Sequence, residues 1–322
     1  MNYWGDVLRD HGIGLNKSRK YYGITARMNL FLTFGEYGTE YHFLELLDDG
    51  GVLVLFRQNL YRFTKNISMI YNVNVGTSGA TSAWLHRPED AVYTISAVAG
   101  SLGKRRVNDG GTIWAKAVSV NDMYVCANST GVYLLDPIAK TVKKHSHVDG
   151  ALIWTSPLLP EKCSSIQVND TGEVFASGNA GMYKITATGS ALSTVISSRS
   201  QPFFRIFPGD SNIWMSTTNS LGRWTFSGTG PTELIASSYE LGDYRNNSFN
   251  PLHIALGKTR IFVATNRGDI LVFSRSGFSF IDKIACNAVR LAANPNNDNV
   301  VAWQEEINSA TNNQNLMTIY SL

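Results

Sequence analysis

Apolar and polar positions alternate along most of this chain in runs of five or six residues, and the runs come in pairs. Residues 52–63 read VLVLFRQNLYRF, residues 123–135 MYVCANSTGVYLL, residues 173–185 EVFASGNAGMYKI, residues 212–226 NIWMSTTNSLGRWTF and residues 260–275 RIFVATNRGDILVFSR. Each is an alternating run, a short turn rich in Asn, Ser and Gly, and a second alternating run, which is the pattern of a β-hairpin. Weaker copies lie at 91–100 and 299–321. The first strands start near Val52, Ala91, Met123, Glu173, Asn212, Arg260 and Asn299, at intervals of 32 to 50 residues. Helical periodicity is slight, and residues 3–10 could make a turn or two at most.

A strand-only period of about 40 to 45 residues predicts a four-stranded propeller blade. The outer two strands are sought around each hairpin. Before it comes an apolar strand and a tight turn, as in FLELLDDGG, AKAVSVND, SSIQVNDTG, FFRIFPGD, LHIALGKT and AVRLAANPNND. After it comes a more polar strand, as in NISMIYNV, TVKKHSHV, ALSTVIS and SFIDKI. The Val-Asn-Asp at 120–122 and again at 168–170 is read as one recurring blade turn. Over roughly residues 40–322 the pattern resembles the β-propeller superfamily, in the broad sense that includes WD-repeat and quinoprotein-like proteins, although the Gly-His and Trp-Asp marks of WD repeats are absent. The expected architecture is all-β: a single β-propeller of seven four-stranded blades over residues 28–322, preceded by an N-terminal arm, residues 1–27. The last blade is one strand short where the sequence stops, and MNLFLTF at 28–34 is the candidate to complete it and close the ring. A six-bladed ring, with 91–107 as an insertion, and a two-sheet sandwich are the alternatives.

Charged residues make up only 16% of the 322, against about 25% in ordinary globular proteins. The surface is therefore built from Ser, Thr, Asn and Gly, which suits permanent contacts or sugar binding. A net charge of +3 gives no field that argues for nucleic acid. Cys126, Cys163 and Cys286 are too few and too scattered for a disulfide framework. Asp6, Arg9 and Asp10 interrupt the start of the chain, so no secretory signal is expected there. No window is apolar enough for a membrane span. The Asn-x-Ser/Thr triplets at Asn66, Asn128, Asn169 and Asn246 are then read as turn chemistry.

Candidate chemistry is sparse. Arg267-Gly268-Asp269 is read as a hairpin turn rather than an adhesion signal, because Gly at that place supplies positive φ. Asp109–Trp114, DGGTIW, is similar to part of the Asp-box turn of sialidase-type propellers, with Val107 and Ile113 departing from it; that too is a structural turn. His145 and His147 share one side of a strand, and the expectation is a solvated outer edge rather than a metal site. Lys104, Arg105 and Arg106, and Lys17, Arg19 and Lys20, are read as solvated loop clusters. Asp48-Asp49 and Glu305-Glu306 are read as loop pairs, wrong for a shared acid/base site. No phosphate loop, dinucleotide fingerprint, HExxH or GxSxG is present. No cofactor, metal or catalytic residue is expected.

The arm is the oddity. It carries Tyr3, Trp4, Arg9, Arg19, Tyr21 and Tyr22, the residue types that anchor interfaces, and these are the partner-binding candidates. The function expected is a non-enzymatic structural or docking module, with other proteins of a large assembly as partners. By analogy with phage particles it is a bacteriophage virion protein, a tail or head accessory, located in the virion or, failing that, the cytoplasm. The first alternative is a carbohydrate- or receptor-binding, lectin-like propeller with Trp84, Trp154, Trp214 and Trp303 as platforms. The second is a propeller hydrolase or lyase.

Overall fold

The computed structural model describes residues 25–33, 41–56, 58–66, 68–76, 81–197, 204–216, 220–228, 230, 232–236, 251–265, 268–286, 288–306 and 314–321. The arm, with Tyr3, Trp4, Arg9, Arg19, Tyr21 and Tyr22 and with Lys17 and Lys20, lies outside the described residues. Within them the regular secondary structure is all strand apart from one short 3-10 turn, Arg87–Glu89.

The strands form seven antiparallel sheets of four. The first strand in the chain, β1 (Thr25–Thr33), belongs to the last sheet. Blade one is β2 (Tyr41–Leu46), β3 (Val52–Phe56), β4 (Asn59–Phe63) and β5 (Met69–Asn74). Blade two is β6 (Thr81–His86), β7 (Ala91–Ser96), β8 (Ser101–Arg106) and β9 (Thr112–Ala117). Blade three is β10 (Tyr124–Asn128), β11 (Gly131–Asp136), β12 (Thr141–His145) and β13 (Leu152–Thr155). Blade four is β14 (Cys163–Val168), β15 (Val174–Gly178), β16 (Gly181–Ile185) and β17 (Leu192–Ser197). Blade five is β18 (Phe204–Arg205), β19 (Asn212–Ser216), β20 (Ser220–Thr225) and β21 (Thr232–Ala236). Blade six is β22 (Pro251–Leu256), β23 (Arg260–Thr265), β24 (Asp269–Ser274) and β25 (Phe280–Ala285). Blade seven is β26 (Ala288–Ala293), β27 (Val300–Glu306) and β28 (Gln314–Ser321), completed by β1.

The ring closes as the sequence suggested. β1 pairs antiparallel with β28 from Thr25 opposite Ser321 to Thr33 opposite Gln314, with a bulge between Ala26 and Met28. The strand begins three residues earlier than the 28–34 reading.

Alternation explains why the middle strands look almost uniformly apolar. Successive side chains on a strand point to opposite faces, and both faces of a blade are covered by neighbouring blades. In β3, Val52, Val54 and Phe56 enter a core shared with blade seven, whereas Leu53 and Leu55 enter one shared with blade two. In β11, Tyr133 and Leu135 face blade four, and Val132 and Leu134 face blade two. In β23, Phe262 and Ala264 face blade seven, and Ile261 and Val263 face blade five. The core is thus a set of apolar layers standing between blades, one for each neighbouring pair around the ring. The fourth strands form the rim and are mostly exposed, as in β5 and β9.

Blade three departs from the sequence reading. The hairpin at 123–135 is the first and second strands of its blade, not the middle pair. AKA at 115–117 closes blade two, TVKKH is a third strand, and LIWT is the rim. Val-Asn-Asp 120–122 therefore lies between blades and 168–170 lies after an inner strand, so they are not one turn. The reason is packing: β10 is short, buried, and contacts the inner strands β6 and β14. The uneven spacing around Met123 was the available signal, since the true second strands start at Ala91, Gly131 and Val174, 40 and 43 residues apart.

A turn that does recur joins the third and fourth strands. Gly110, Gly150 and Gly189 all have positive φ there, 71°, 72° and 73°. Each lies under an aromatic residue of the preceding blade's rim strand. A Cβ on Gly150 would stand 2.8 Å from the Trp114 ring, and one on Gly189 2.4 Å from Trp154. Only glycine satisfies both the backbone and the close approach. DGGTIW is this turn: Asp109 Oδ1 accepts the Gly111 N–H at 2.8 Å. Arg-Gly-Asp is also a turn. Gly268 has φ 77°, its N–H donates to the Thr265 carbonyl at 3.3 Å, and Asp269 already belongs to β24; Arg267 lies outside the described residues.

Candidate functional site

The inner strands run so that their C-terminal ends meet at one end of the ring axis. There they enclose a cavity of about 310 Å³ to which every blade contributes, from Glu45 in blade one and Trp84 in blade two to Asp170, Arg205, Leu256 and Ala293 in later blades. The mouth is stitched from blade to blade by the turns that follow the inner strands. Arg87 reaches from blade two to the Leu46 carbonyl at 2.7 Å, with its guanidinium 3.1 Å from Asp48 and 3.3 Å from Glu45. Asn294 Nδ2 donates to the Leu47 carbonyl at 2.9 Å, joining blade seven to blade one. Asn128 Nδ2 donates to the Asn169 carbonyl at 2.7 Å, and the Gly209 N–H donates to Asp170 at 2.7 Å. Thr259 donates to Asp298 from both its backbone and its hydroxyl. These asparagines and aspartates looked like ordinary turn residues in sequence; their common role depends on ring closure.

Arginine marks the cavity wall. Arg205, from the two-residue strand β18, lines it, with its Nη2 3.4 Å from His253 Nε2. His253 Nδ1 accepts the Leu291 N–H at 3.3 Å. Burial lowers the Arg205 pKa; Glu45 opposes this and Arg290 adds to it. His253 is held well below its ordinary 6.5 by burial first, then by Arg205 and Arg290. It is therefore neutral near pH 7.

A second polar cluster joins blades two and three. The Glu89 carboxylate receives the Lys104 ammonium at 2.7 Å and the Tyr93 hydroxyl at 3.1 Å, with His86 Nδ1 at 3.3 Å and His147 Nε2 at 3.8 Å. Burial pushes the Glu89 pKa up, but Lys104, His86 and Tyr93 outweigh it, and the net shift is down. Lys104 Nζ also donates to the His147 carbonyl at 3.0 Å. Among the described residues no group of three His, Cys, Asp or Glu is placed to hold a metal.

Several sequence readings are corrected here. His145 is not on a solvated edge: β12 has β13 outside it, the residue is 4% exposed, and Nδ1 lies 3.0 Å from the Gly150 carbonyl. His147 falls in the turn beyond the strand. Lys104, Arg105 and Arg106 form strand β8, not a loop; Lys104 pairs with Glu89 and Arg106 with Asp109. Glu305 and Glu306 end β27 rather than sitting in a loop. Trp214 and Trp303 are each 1% exposed, because they fill inter-blade layers, and so offer no face for stacking a sugar. Trp84 and Trp154 are half-buried against the layers flanking blade three. The three cysteines are free and buried. No helix among the described residues is long and apolar enough to cross a membrane.

Three buried histidines give the fold a defined acid response. His86, His145 and His253 all have pKa values lowered from 6.5, in each case by burial first. Between the lowered folded value and 6.5 the unfolded chain binds more protons. Stability is then complete above about pH 6.5 and falls as the pH drops, levelling off only below the folded values. Urea midpoints measured from pH 7.5 to pH 5 are expected to fall, each histidine adding a slope of up to about 1.4 kcal/mol per pH unit. A flat profile over that range would contradict this burial.

No protein-family model matches the sequence, and no curated protein matches it. Solved structures do. The β-propeller domain of Myceliophteria thermophila Swd1 superposes with a TM-score of 0.68 at 8% identity, over 93% of this chain and 99% of that one. Kuenenia stuttgartiensis hydrazine synthase superposes with a TM-score of 0.64 at 10% identity, over 84% of this chain and 96% of that one. At such identities the likeness is one of fold.

Proposed function

We propose that this chain is a non-enzymatic docking propeller held in a large assembly, and specifically a bacteriophage virion component of the tail or head-accessory kind. The observation that carries the docking reading is the rim of blades one to three. The edge strands β5, β9 and β13 expose Met69 and Ile70, Ile113, and Leu152 and Ile153, between 46% and 59% of each side chain's residue surface. Edge strands that face only water are ordinarily blunted by charge or proline. Here three consecutive edges present large apolar groups together with unpaired strand backbone, which suits a permanent partner. The low charge content points the same way. The virion assignment rests on the analogy in composition.

The test uses the double variant Ile113→Lys, Ile153→Lys. Both positions are exposed, so unfolding free energy is expected to stay within about 1 kcal/mol of the parent. Purified particles carrying the variant gene are expected to lack the protein. Normal incorporation of a normally folded variant would refute docking through this rim.

A further inference from the structure

We infer that the cavity at the mouth of the central channel is a binding site for a small uncharged apolar molecule, of the size of one or two fused rings. The wall supplies the apolar surface. Trp84 and Phe207, both half-buried, form its aromatic part, with Leu85, Ile206, Leu256 and Pro295 beside them. The inner strands add only small groups there, Ala127, Ala255 and Ala292, which leaves the space open.

The charged groups on the same wall are already engaged within the protein. Arg87 holds the Leu46 carbonyl, Glu45 and Asp48. Arg275 donates to the Gly257 carbonyl at 3.1 Å and lies 3.9 Å from Asp210. Asp170 accepts the Gly209 N–H at 2.7 Å. Arg205 lies 3.4 Å from His253 and makes further interactions. An ion entering this space would leave water for a wall whose charges are committed elsewhere, which is costly. An uncharged apolar molecule loses little on leaving water and displaces waters that find few partners against such a wall.

Size and shape select the occupant further. About 310 Å³ is on the order of ten water volumes at about 30 Å³ each. A concave, largely apolar space of that size is the form of a small-molecule site. A flat protein surface cannot fill it. Hydrogen bonds from Arg87 to Leu46, Asn128 to Asn169 and Asn294 to Leu47 tie the blades around the mouth. They hold the geometry before any ligand arrives, which lowers the ordering cost of binding. The site is separate from the rim of blades one to three, so its failure would leave the docking reading intact.

The experiment is calorimetric titration of the full chain with three probes that share one ring system: neutral indole, anionic indole-3-carboxylate and cationic tryptamine. One saturable site is expected for indole, at least ten-fold tighter than for either charged probe. Ser129 and Pro295 are exposed at the mouth on non-neighbouring blades, so replacing them leaves the layers between blades untouched. The double variant Ser129→Trp, Pro295→Trp is expected to melt as the parent does and to bind indole at least ten-fold more weakly. Three results would overturn the assignment: no saturable binding of indole, binding of a charged probe as tight as that of indole, or undiminished indole binding by the folded double variant.

Discussion

Deleting residues 1–40 is expected to lower the melting temperature by about 10 °C, equivalent to several kcal/mol for a chain of this size, and to make the remainder associate. The deletion removes β1, which pairs along the whole of β28. Blade seven is then a three-stranded sheet with a newly exposed edge, and such an edge is a template for pairing with another chain. The layer beneath it suffers as well. Met317 and Ile319 of β28, 0% and 4% exposed, pack with Trp303 and with Val52, Val54 and Phe56 of blade one. Loosening that layer loosens the closure of the ring: β1 pairs with β28 and leads in the chain to β2, and without it blades seven and one are held by packing and by hydrogen bonds such as that from Asn294 to the Leu47 carbonyl. Differential scanning calorimetry with analytical ultracentrifugation reads both effects. Addition of a synthetic peptide of residues 25–33 is expected to recover part of the lost stability. An unchanged melting temperature would mean that the ring does not need its N-terminal strand.

The second large effect is expected at Trp214. Its indole is 1% exposed, its Nε1 donates to Asp210 Oδ2 at 2.7 Å, and its ring meets Phe278 edge-on at 6.0 Å between centroids. It stands in the layer between blades five and six with Ile254, Leu256 and Val263. Trp214→Ala leaves a cavity in a layer that cannot collapse, since each blade is also held by its other neighbour. The expected cost is about 3–5 kcal/mol. Trp214→Phe keeps most of the packing but drops the bond to Asp210, and about 1–2 kcal/mol is expected. Denaturant titration separates the two. A cost for Trp214→Ala below about 1 kcal/mol would show that the indole is not the filler of this layer.

The virion and non-enzymatic readings draw on composition, whereas the channel-mouth site draws on geometry that composition does not reveal. Arg205 illustrates the difference. In FFRIFPGD it is one arginine in an apolar run. Its position on the axis, 48 residues from His253 and facing blades one and seven, becomes visible only when seven inner strands converge. The tryptophans illustrate the converse. As residue types they fitted sugar platforms, but Trp214 and Trp303 occupy strand positions whose faces are covered by the next blade.

By itself the sequence determined the elements and their number: hairpins with a period-2 pattern, repeated every 32 to 50 residues, and one strand left to be supplied from the N-terminal region. These follow from interactions local to one blade, namely alternation, turn glycines and antiparallel pairing, which are written within about forty residues. The tertiary structure alone decided the frame of blade three, the burial of His145 behind β13, the pairing of Lys104 with Glu89, and the convergence of arginines on one cavity. Each of those depends on which blade lies against which. Contacts between blades join residues through space across turns of varying length, so no spacing along the chain encodes them.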